Sequence, residues 1–253
     1  MEKLANKTAL VTGASRGIGK GIASRLAADG ALVAVHYSSD RSAATAVVSD
    51  IERAGGRAFP VQANFDEAGS IHSLFLQVDE GLRERIGSVS LDIVVNAAGV
   101  MGGKNVEDTR PDDFDNLFRV NSKAPFFVIQ RALSNISDGG RIVNITSGLT
   151  RFANPDEIAY AMSKGALEQL TLHLAKHLAP RGITVNSVAP GITNNGSPVF
   201  ENPEAVAFMS TLSAFGRVGT PADVADVVAF MVSPDARWVT GAFVDATGGT
   251  LLG

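Results

Sequence analysis

Residues 8–19 restrict the fold more than any other stretch of the chain. Thr8-Ala-Leu-Val11 is a short apolar run that reads as a buried strand, and it leads directly into Thr12-Gly-Ala-Ser-Arg-Gly-Ile-Gly19. Ile18, Ile22 and Leu26 then recur at four-residue steps, and Asp29-Gly30 closes what is therefore a helix. Strand, glycine turn and helix in this order make a phosphate cradle. Glycine lets the backbone approach a pyrophosphate closely, and the helix N-terminus offers N–H groups and a partial positive charge. Gly13, Gly17 and Gly19 are spaced Gly-x-x-x-Gly-x-Gly rather than the commoner Gly-x-Gly-x-x-Gly. A plain glycine-rich turn is the competing reading, and the flanking strand and helix count against it.

The rest of the chain repeats that alternation. Strands are expected at 31–37, 57–62, 91–96, 141–147, 182–189 and 242–245. Helices are expected at about 42–53, 66–85, 112–135, around and beyond Tyr160, and at 221–232. Pro125 should kink the long helix over 112–135. The expected architecture is α/β: a Rossmann-type, doubly wound, mainly parallel sheet of seven strands with helices on both faces. Residues 1–253 then form a single domain. Residues 192–215 are irregular apart from a short helix near 204–212, and long loops of this kind often act as substrate lids.

The carboxyl ends of the strands carry the candidate cofactor contacts. An NAD site usually places a carboxylate after the second strand, on the ribose 2′-hydroxyl. Here Tyr37 is followed by Ser38 and Ser39, and the first acid is Asp40. Hydroxyls at this place, together with Arg16, suit a 2′-phosphate, so NADP(H) is preferred; NAD(H) is the alternative, since Asp40 can swing back. Asn64, after the third strand, suits an adenine edge or a turn equally. Ala97-Ala-Gly99, after the fourth, leaves room for a flat ligand or for tight packing.

Chemistry points to the region of Ser147 and Tyr160-Ala-Met-Ser-Lys164. Residues i and i+4 share one helix face, so the phenol and the ammonium point the same way. A free phenol has a pKa near 10, and bringing it towards neutrality asks roughly 3–4 kcal/mol of its surroundings. A fixed ammonium shifts it in that direction, and a phenol so tuned serves as general acid or base on an alcohol or ketone. On its own the pair also fits a solvated helix surface. Ser147, at the end of an apolar strand, stands where a hydroxyl reaches a substrate oxygen. Asn121, ahead of Pro125 on an apolar face, needs a polar partner, and backbone alone would satisfy it.

Composition excludes other classes. Lys plus Arg number 22 against 26 Asp plus Glu, and no basic run stands out, which argues against nucleic acid and anionic membranes as partners. There are no cysteines, so disulfides, thiol catalysis and cysteine-held metals are out. No stretch reads as a signal peptide or membrane span, and a cytoplasmic location is expected. His173 and His177 have helical metal-pair spacing, but they fall on the side opposite Tyr160 and lack a third ligand; no metal is expected. Ser147 has no nearby histidine to activate it, which disfavours a hydrolase.

In register from end to end, these segments resemble the short-chain dehydrogenase/reductase family, and within it the 3-oxoacyl-(acyl-carrier-protein) reductase-like branch. Thr12–Gly19 looks like its cofactor turn, which implies contacts from Gly13, Ser15, Arg16, Gly17, Ile18 and Gly19. Asn96-Ala-Ala-Gly99 is similar to its Asn-Asn-Ala-Gly corner. Ser147 and Tyr160, thirteen residues apart, with Lys164 and Asn121 match its catalytic tetrad. Pro190-Gly191, Arg217-Val-Gly-Thr-Pro-Ala-Asp-Val-Ala225 and the segment from Thr240 to Gly249 match later landmarks. The resemblance implies hydride transfer between NADP(H) and a ketone or secondary alcohol. Ser147 would hold the carbonyl oxygen, Tyr160 would protonate it, and Lys164 would lower the phenol pKa and bind the nicotinamide ribose. Asn121 would hold a water joining Lys164 to solvent. It further implies cofactor contacts from Tyr37, Ser38, Ser39, Asn64, Phe65, Asn96, Ala97, Gly99, Pro190, Gly191, Ile192 and Thr193, and a homotetramer. Ala97 and Asn64 depart from the family's usual Asn and Asp, and Asn194-Asn195 stand where it usually has a threonine. Alternatives are an NAD(H)-dependent dehydrogenase of a small alcohol, sugar or steroid, a dehydratase or epimerase using the same pair, and a non-catalytic dinucleotide sensor. The intact tetrad disfavours the sensor, and the lack of room for a larger C-terminal substrate region disfavours the dehydratase or epimerase.

Overall fold

The structure, a computed structural model, describes residues 3–252. Its strands are β1 (Thr8–Thr12), β2 (Leu32–Tyr37), β3 (Arg57–Gln62), β4 (Leu91–Asn96), β5 (Ile136–Ile145), β6 (Thr184–Pro190) and β7 (Phe243–Ala246). All neighbours pair in parallel, in the order β3-β2-β1-β4-β5-β6-β7. The helices are α1 (Gly17–Ala28), α2 (Arg41–Arg53), α3 (Ser70–Ile86), α4 (Pro111–Phe118), α5 (Ala124–Ala132), α6 (Ile158–Leu178), α7 (Pro203–Thr211) and α8 (Pro221–Val232). This is the doubly wound arrangement that the sequence leads one to expect.

Burial of β1, β2 and β6 along their whole length explains their near-continuous apolar sequences, because a sheet covered on both faces has no solvent side. Alternate residues still go to opposite layers. Ala9, Val11, Val33, Val35, Ile93 and Val95 pack with Ile22, Leu26, Val224 and Val228 on one face. Leu10, Leu32, Ala34 and Val94 pack with Leu74, Phe75, Val128 and Ile129 on the other. Strand order reverses at β1, whose two neighbours are β2 and β4, so a crevice opens above the carboxyl ends of β1 and β4.

Three elements differ from expectation. Helix α3 begins at Ser70 rather than 66, because Asn64 turns the chain by accepting the Asp66 N–H and Gly69 is left-handed at φ 79°. Strand β5 begins at Ile136, and its pairing with β4 shifts register between Leu91 and Ile93. The long helix over 112–135 is α4, a π turn over Arg119–Lys123, and α5, ending at Ala132. Pro125 has no N–H to return to the Asn121 carbonyl four residues back, and the chain meets that loss upstream with a wider turn, Ala124 donating to Arg119.

Candidate active site

The glycine turn is built against the end of β4. Gly13 is left-handed, at φ 64°, and a Cβ there would lie 2.6 Å from the Ala98 Cα. A Cβ on Gly19 would lie 2.2 Å from the Gly13 carbonyl oxygen, so neither position admits a side chain. Buried Thr12 joins the two strands, its Oγ1 accepting the N–H groups of Ala97 and Ala98 at 3.1 Å each. His36 completes the support. Its Nδ1 accepts the Gly13 N–H at 3.0 Å, and its Nε2 lies 2.9 Å from the Ala63 carbonyl. Burial drives its pKa down to about 4, so the ring is neutral, with the proton on Nε2. Sequence reading passed over His36; the available signal was a polar residue within an otherwise apolar buried strand, which must find partners.

At the outer end, Ser38 and Ser39 are exposed beside buried Tyr37. Asp40 does not turn back: it caps α2, its carboxylate accepting the Ala43 N–H at 2.9 Å. Exposed Arg16, at the head of α1, and exposed Arg41, at the head of α2, have no carboxylate partner among the described residues. Arg41 is a second cation that the sequence reading did not single out. Asn64 serves in a turn, its Nδ2 donating to Glu67 Oε1 at 3.0 Å. Phe65 stacks on His36 with centroids 4.7 Å apart. The Asn96 side chain points into the sheet, donating to Asn144 Oδ1 at 2.8 Å. These contacts anchor Asn64, Phe65 and Asn96 at the carboxyl ends of β3 and β4.

Ser147 follows β5, 7% exposed, its Oγ accepting the Leu149 N–H. It faces the phenol of Tyr160 on the first turn of α6, and this hydrogen bond lowers the phenol pKa. Burial outweighs that contact and pushes the phenol up to about 12, with Glu157 adding to the rise. Against that rise stands Lys164, the ammonium expected to lower the phenol pKa. Lys164 is buried, donates to the Ile145 carbonyl at 2.8 Å, and lies 5.9 Å from the Tyr160 ring centroid. Burial lowers its pKa to about 8. Gly99 lies close beside it: a Cβ there would lie 3.2 Å from Lys164 Nζ and 3.3 Å from Asn121 Oδ1, so a side chain would press on both.

Asn121 is fully buried and its amide is committed. Oδ1 accepts the Val100 N–H, and Nδ2 donates to the Val100 carbonyl and to Ser163 Oγ, at 2.9, 2.9 and 3.0 Å. Its main-chain carbonyl, deprived by Pro125 of the usual helical donor, is the atom left for other partners. Below the crevice, Pro190 ends β6 and Gly191 presses on Thr247, where a Cβ would lie 2.5 Å from the carbonyl oxygen. Ile192 accepts the Gly219 N–H, and buried Thr193 donates to the Gly191 carbonyl at 3.1 Å. Asn195 sits on the glycine turn itself: a Cβ on Gly17 would lie 3.1 Å from the Asn195 Cβ.

Among the described residues no group of three metal-ligating side chains comes together, and His173 and His177 are both exposed. No helix among them is long and apolar enough to cross a membrane. The bare cradle of Gly13, Gly17 and Gly19 at a helix N-terminus, beside two exposed guanidinium groups, fits a phosphate-bearing dinucleotide.

Known proteins with this arrangement have named activities. The model of a family described as enoyl-(acyl carrier protein) reductase matches residues 13–250. The promiscuous reductase LugOII, which catalyses keto-reduction at C1 during lugdunomycin biosynthesis, is 60% identical with a TM-score of 0.98, over 99% of this chain and 100% of its own. The angucycline C-6 ketoreductase LanV, solved with bound NADP, is 58% identical with a TM-score of 0.97, over 99% of this chain and 98% of its own. A hydroxynaphthalene reductase-like protein of Metarhizium brunneum (strain ARSEF 3297) is 38% identical over 262 residues, covering 98% of this chain and 96% of that protein.

Proposed function

The chain belongs to the short-chain dehydrogenase/reductase family, and on that premise we propose a mechanism and a substrate class for an NADP(H)-dependent reductase of ketones. The observation that carries the mechanism is the meeting of Ser147, Tyr160 and Lys164 beside Gly99, next to the glycine turn. NADP(H), when bound, supplies the hydride for the carbonyl carbon. Gly13, Ser15, Gly17, Ile18 and Gly19 would hold its pyrophosphate, and Arg16, Ser38, Ser39 and Arg41 its 2′-phosphate. Ala97, Gly99, Lys164, Ile192 and Thr193 would line its nicotinamide end.

Ser147 donates to the carbonyl oxygen, and Tyr160 gives that oxygen a proton as negative charge gathers on it. With its pKa near 12 the phenol is fully protonated at neutral pH, the state a general acid requires. Lys164, still an ammonium at neutral pH with a pKa near 8, stabilises the phenolate as it forms and then passes a proton to it. Asn121 contributes through its carbonyl, which would hold the water that returns a proton to Lys164, while its amide fixes Val100.

The substrate is a ketone borne on fused aromatic rings. Angucycline and hydroxynaphthalene compounds, named for LanV and the Metarhizium protein, are of this kind. The loops flanking the crevice suit one, with Met101, Val106, Phe208 and Phe215 all strongly exposed. Lys104, the one basic residue of 100–106, is engaged by Asp113 at 2.7 Å and so is not free to attract an acidic carrier protein. The reading extends to one domain over 1–253 with 192–215 as the substrate lid, and to a cytoplasmic homotetramer. A groove lined by both α5 and α6 supports the assembly.

Purified protein should oxidise NADPH with fused-ring ketones, with kcat/KM at least about tenfold above that with NADH. Tyr160→Phe should cut kcat by roughly 10²–10⁴-fold while the Kd for NADPH stays within about twofold. Near-normal turnover in that variant would remove Tyr160 from the chemistry.

A further inference from the structure

One buried carboxylate close to the reaction is not among the groups assigned to its steps above. Glu157 precedes the first turn of α6, three residues before Tyr160, and is 7% exposed. Its Oε1 accepts the Gly103 N–H at 3.0 Å and its Oε2 the Gly102 N–H at 3.3 Å. No Lys, Arg or His forms an ion pair with it among the described residues, and Lys104 is turned to Asp113. A carboxylate removed from water without a counter-charge is costly, and two aligned N–H groups are what compensates it. The glycines make this possible. Gly103 is left-handed at φ 65°, and a Cβ on Gly102 would lie 3.3 Å from Leu117 Cδ1. Two successive N–H groups thereby converge on one anion.

The segment so held leads from β4 over the crevice, and it is fastened at three places. Val100 is bound by Asn121, Gly102 and Gly103 by Glu157, and Lys104 by Asp113. The middle fastening alone comes from the segment that carries Tyr160. Met101, 64% exposed, stands between the first two. We propose that Glu157 is a positioning and specificity-determining residue, tying the Met101–Lys104 wall to the Tyr160 helix and so fixing how a ketone carbonyl is presented to the phenol. This rests on the ketone-reductase reading above.

The test uses full-length protein, NADPH and the prochiral fused-ring ketone 2-tetralone. Glu157→Ala should raise KM for 2-tetralone by about tenfold or more and drive the ratio of the two alcohol enantiomers towards unity. In the same variant kcat should fall by less than about fivefold, and the Kd for NADPH should stay within about twofold. Glu157→Gln, which keeps one acceptor, should lie between wild type and Glu157→Ala on KM, and it decides alone if Glu157→Ala shows no cooperative melt. Wild-type KM and enantiomer ratio in the folded variants would overturn the proposal. The reductase reading fails separately, if wild type reduces neither 2-tetralone nor other ketones, or if Tyr160→Phe matches it.

Discussion

Burial holds the His36 imidazole near pKa 4, against 6.5 for an ordinary histidine. Protonation would fill Nδ1, which now accepts the Gly13 N–H, so a charged ring both loses that bond and turns a donor towards a donor. Because the folded pKa is the lower one, the unfolded chain binds the extra proton between about pH 6.5 and 4. The contribution of His36 to stability is therefore fully present above about 6.5 and is lost as pH falls through about 4. A displacement of that size corresponds to about 3 kcal/mol. Urea unfolding of wild type and His36→Gln at pH 7, 5.5 and 4 checks this, with carboxylate titration cancelling in the difference. Glutamine offers both a donor and an acceptor without titrating, so the wild-type advantage should shrink by about 3 kcal/mol across the range. A pH-independent difference would mean that the ring is not the titrating group. The variant should also bind NADPH about three- to tenfold more weakly, because the glycine turn loses its support.

A row of polar residues crosses the middle of the sheet in register: Thr12 beside Asn96, Asn96 beside Asn144, and Asn144 beside Ser187. Asn96 donates to Asn144, while Asn144 and Ser187 both donate to Thr171 on α6, at 2.8, 2.9 and 2.8 Å. The row thus couples the strands that end at Ser147 and the Ala97–Gly99 corner to the helix that carries Tyr160. Asn144→Leu strands the Asn96 amide and one Thr171 lone pair in a dry layer, a cost of about 2–4 kcal/mol. For a chain of this length that is a fall in Tm of about 5–15 °C, read by calorimetry; an unchanged Tm would show that water replaces the lost partner. At this scale the sequence was most legible where local chemistry decides. The strands announce themselves as apolar runs, and α8 by Pro221 inside the Thr220/Asp223 capping box. It was least legible where a distant partner decides. Gly139 and Gly140 stand ahead of the strand expected from 141 but lie within β5, and Pro125 marks a disturbance that the chain expresses over Arg119–Lys123. The same division holds for the site. Ser147, Tyr160 and Lys164 announce themselves by spacing, whereas His36 and Glu157 owe their roles to partners 23 and about 55 residues away.

Each face of the sheet is covered by its own helices, and one face of α5 and α6 is left with apolar surface beyond what the chain itself can bury. Phe126 and Phe127 are 45% and 39% exposed and meet edge to face at 5.1 Å. They line a groove of about 580 Å³ with Phe118, Ser122 and Leu170. Exposed aromatic side chains rimmed by Asp115, Arg119 and Lys123 suit a contact surface, and the proposed homotetramer supplies the occupant, a second copy presenting the same groove. Assembly would bear on catalysis through α6, whose buried side holds Lys164 and whose outer side contributes Leu170 to the groove. Phe126→Glu puts a charge into a surface that closure of the dimer would dehydrate, at a cost large enough to dissociate this interface. Sedimentation velocity should show wild type as a tetramer and the variant as a smaller species, and kcat should fall about three- to tenfold as α6 loses its brace. Dilution is the control that separates loss of assembly from local damage. A kcat of the wild type that falls on dilution to the variant's level assigns the loss to assembly. A variant that remains tetrameric, or a wild type that sediments as a monomer, removes this face from the assembly.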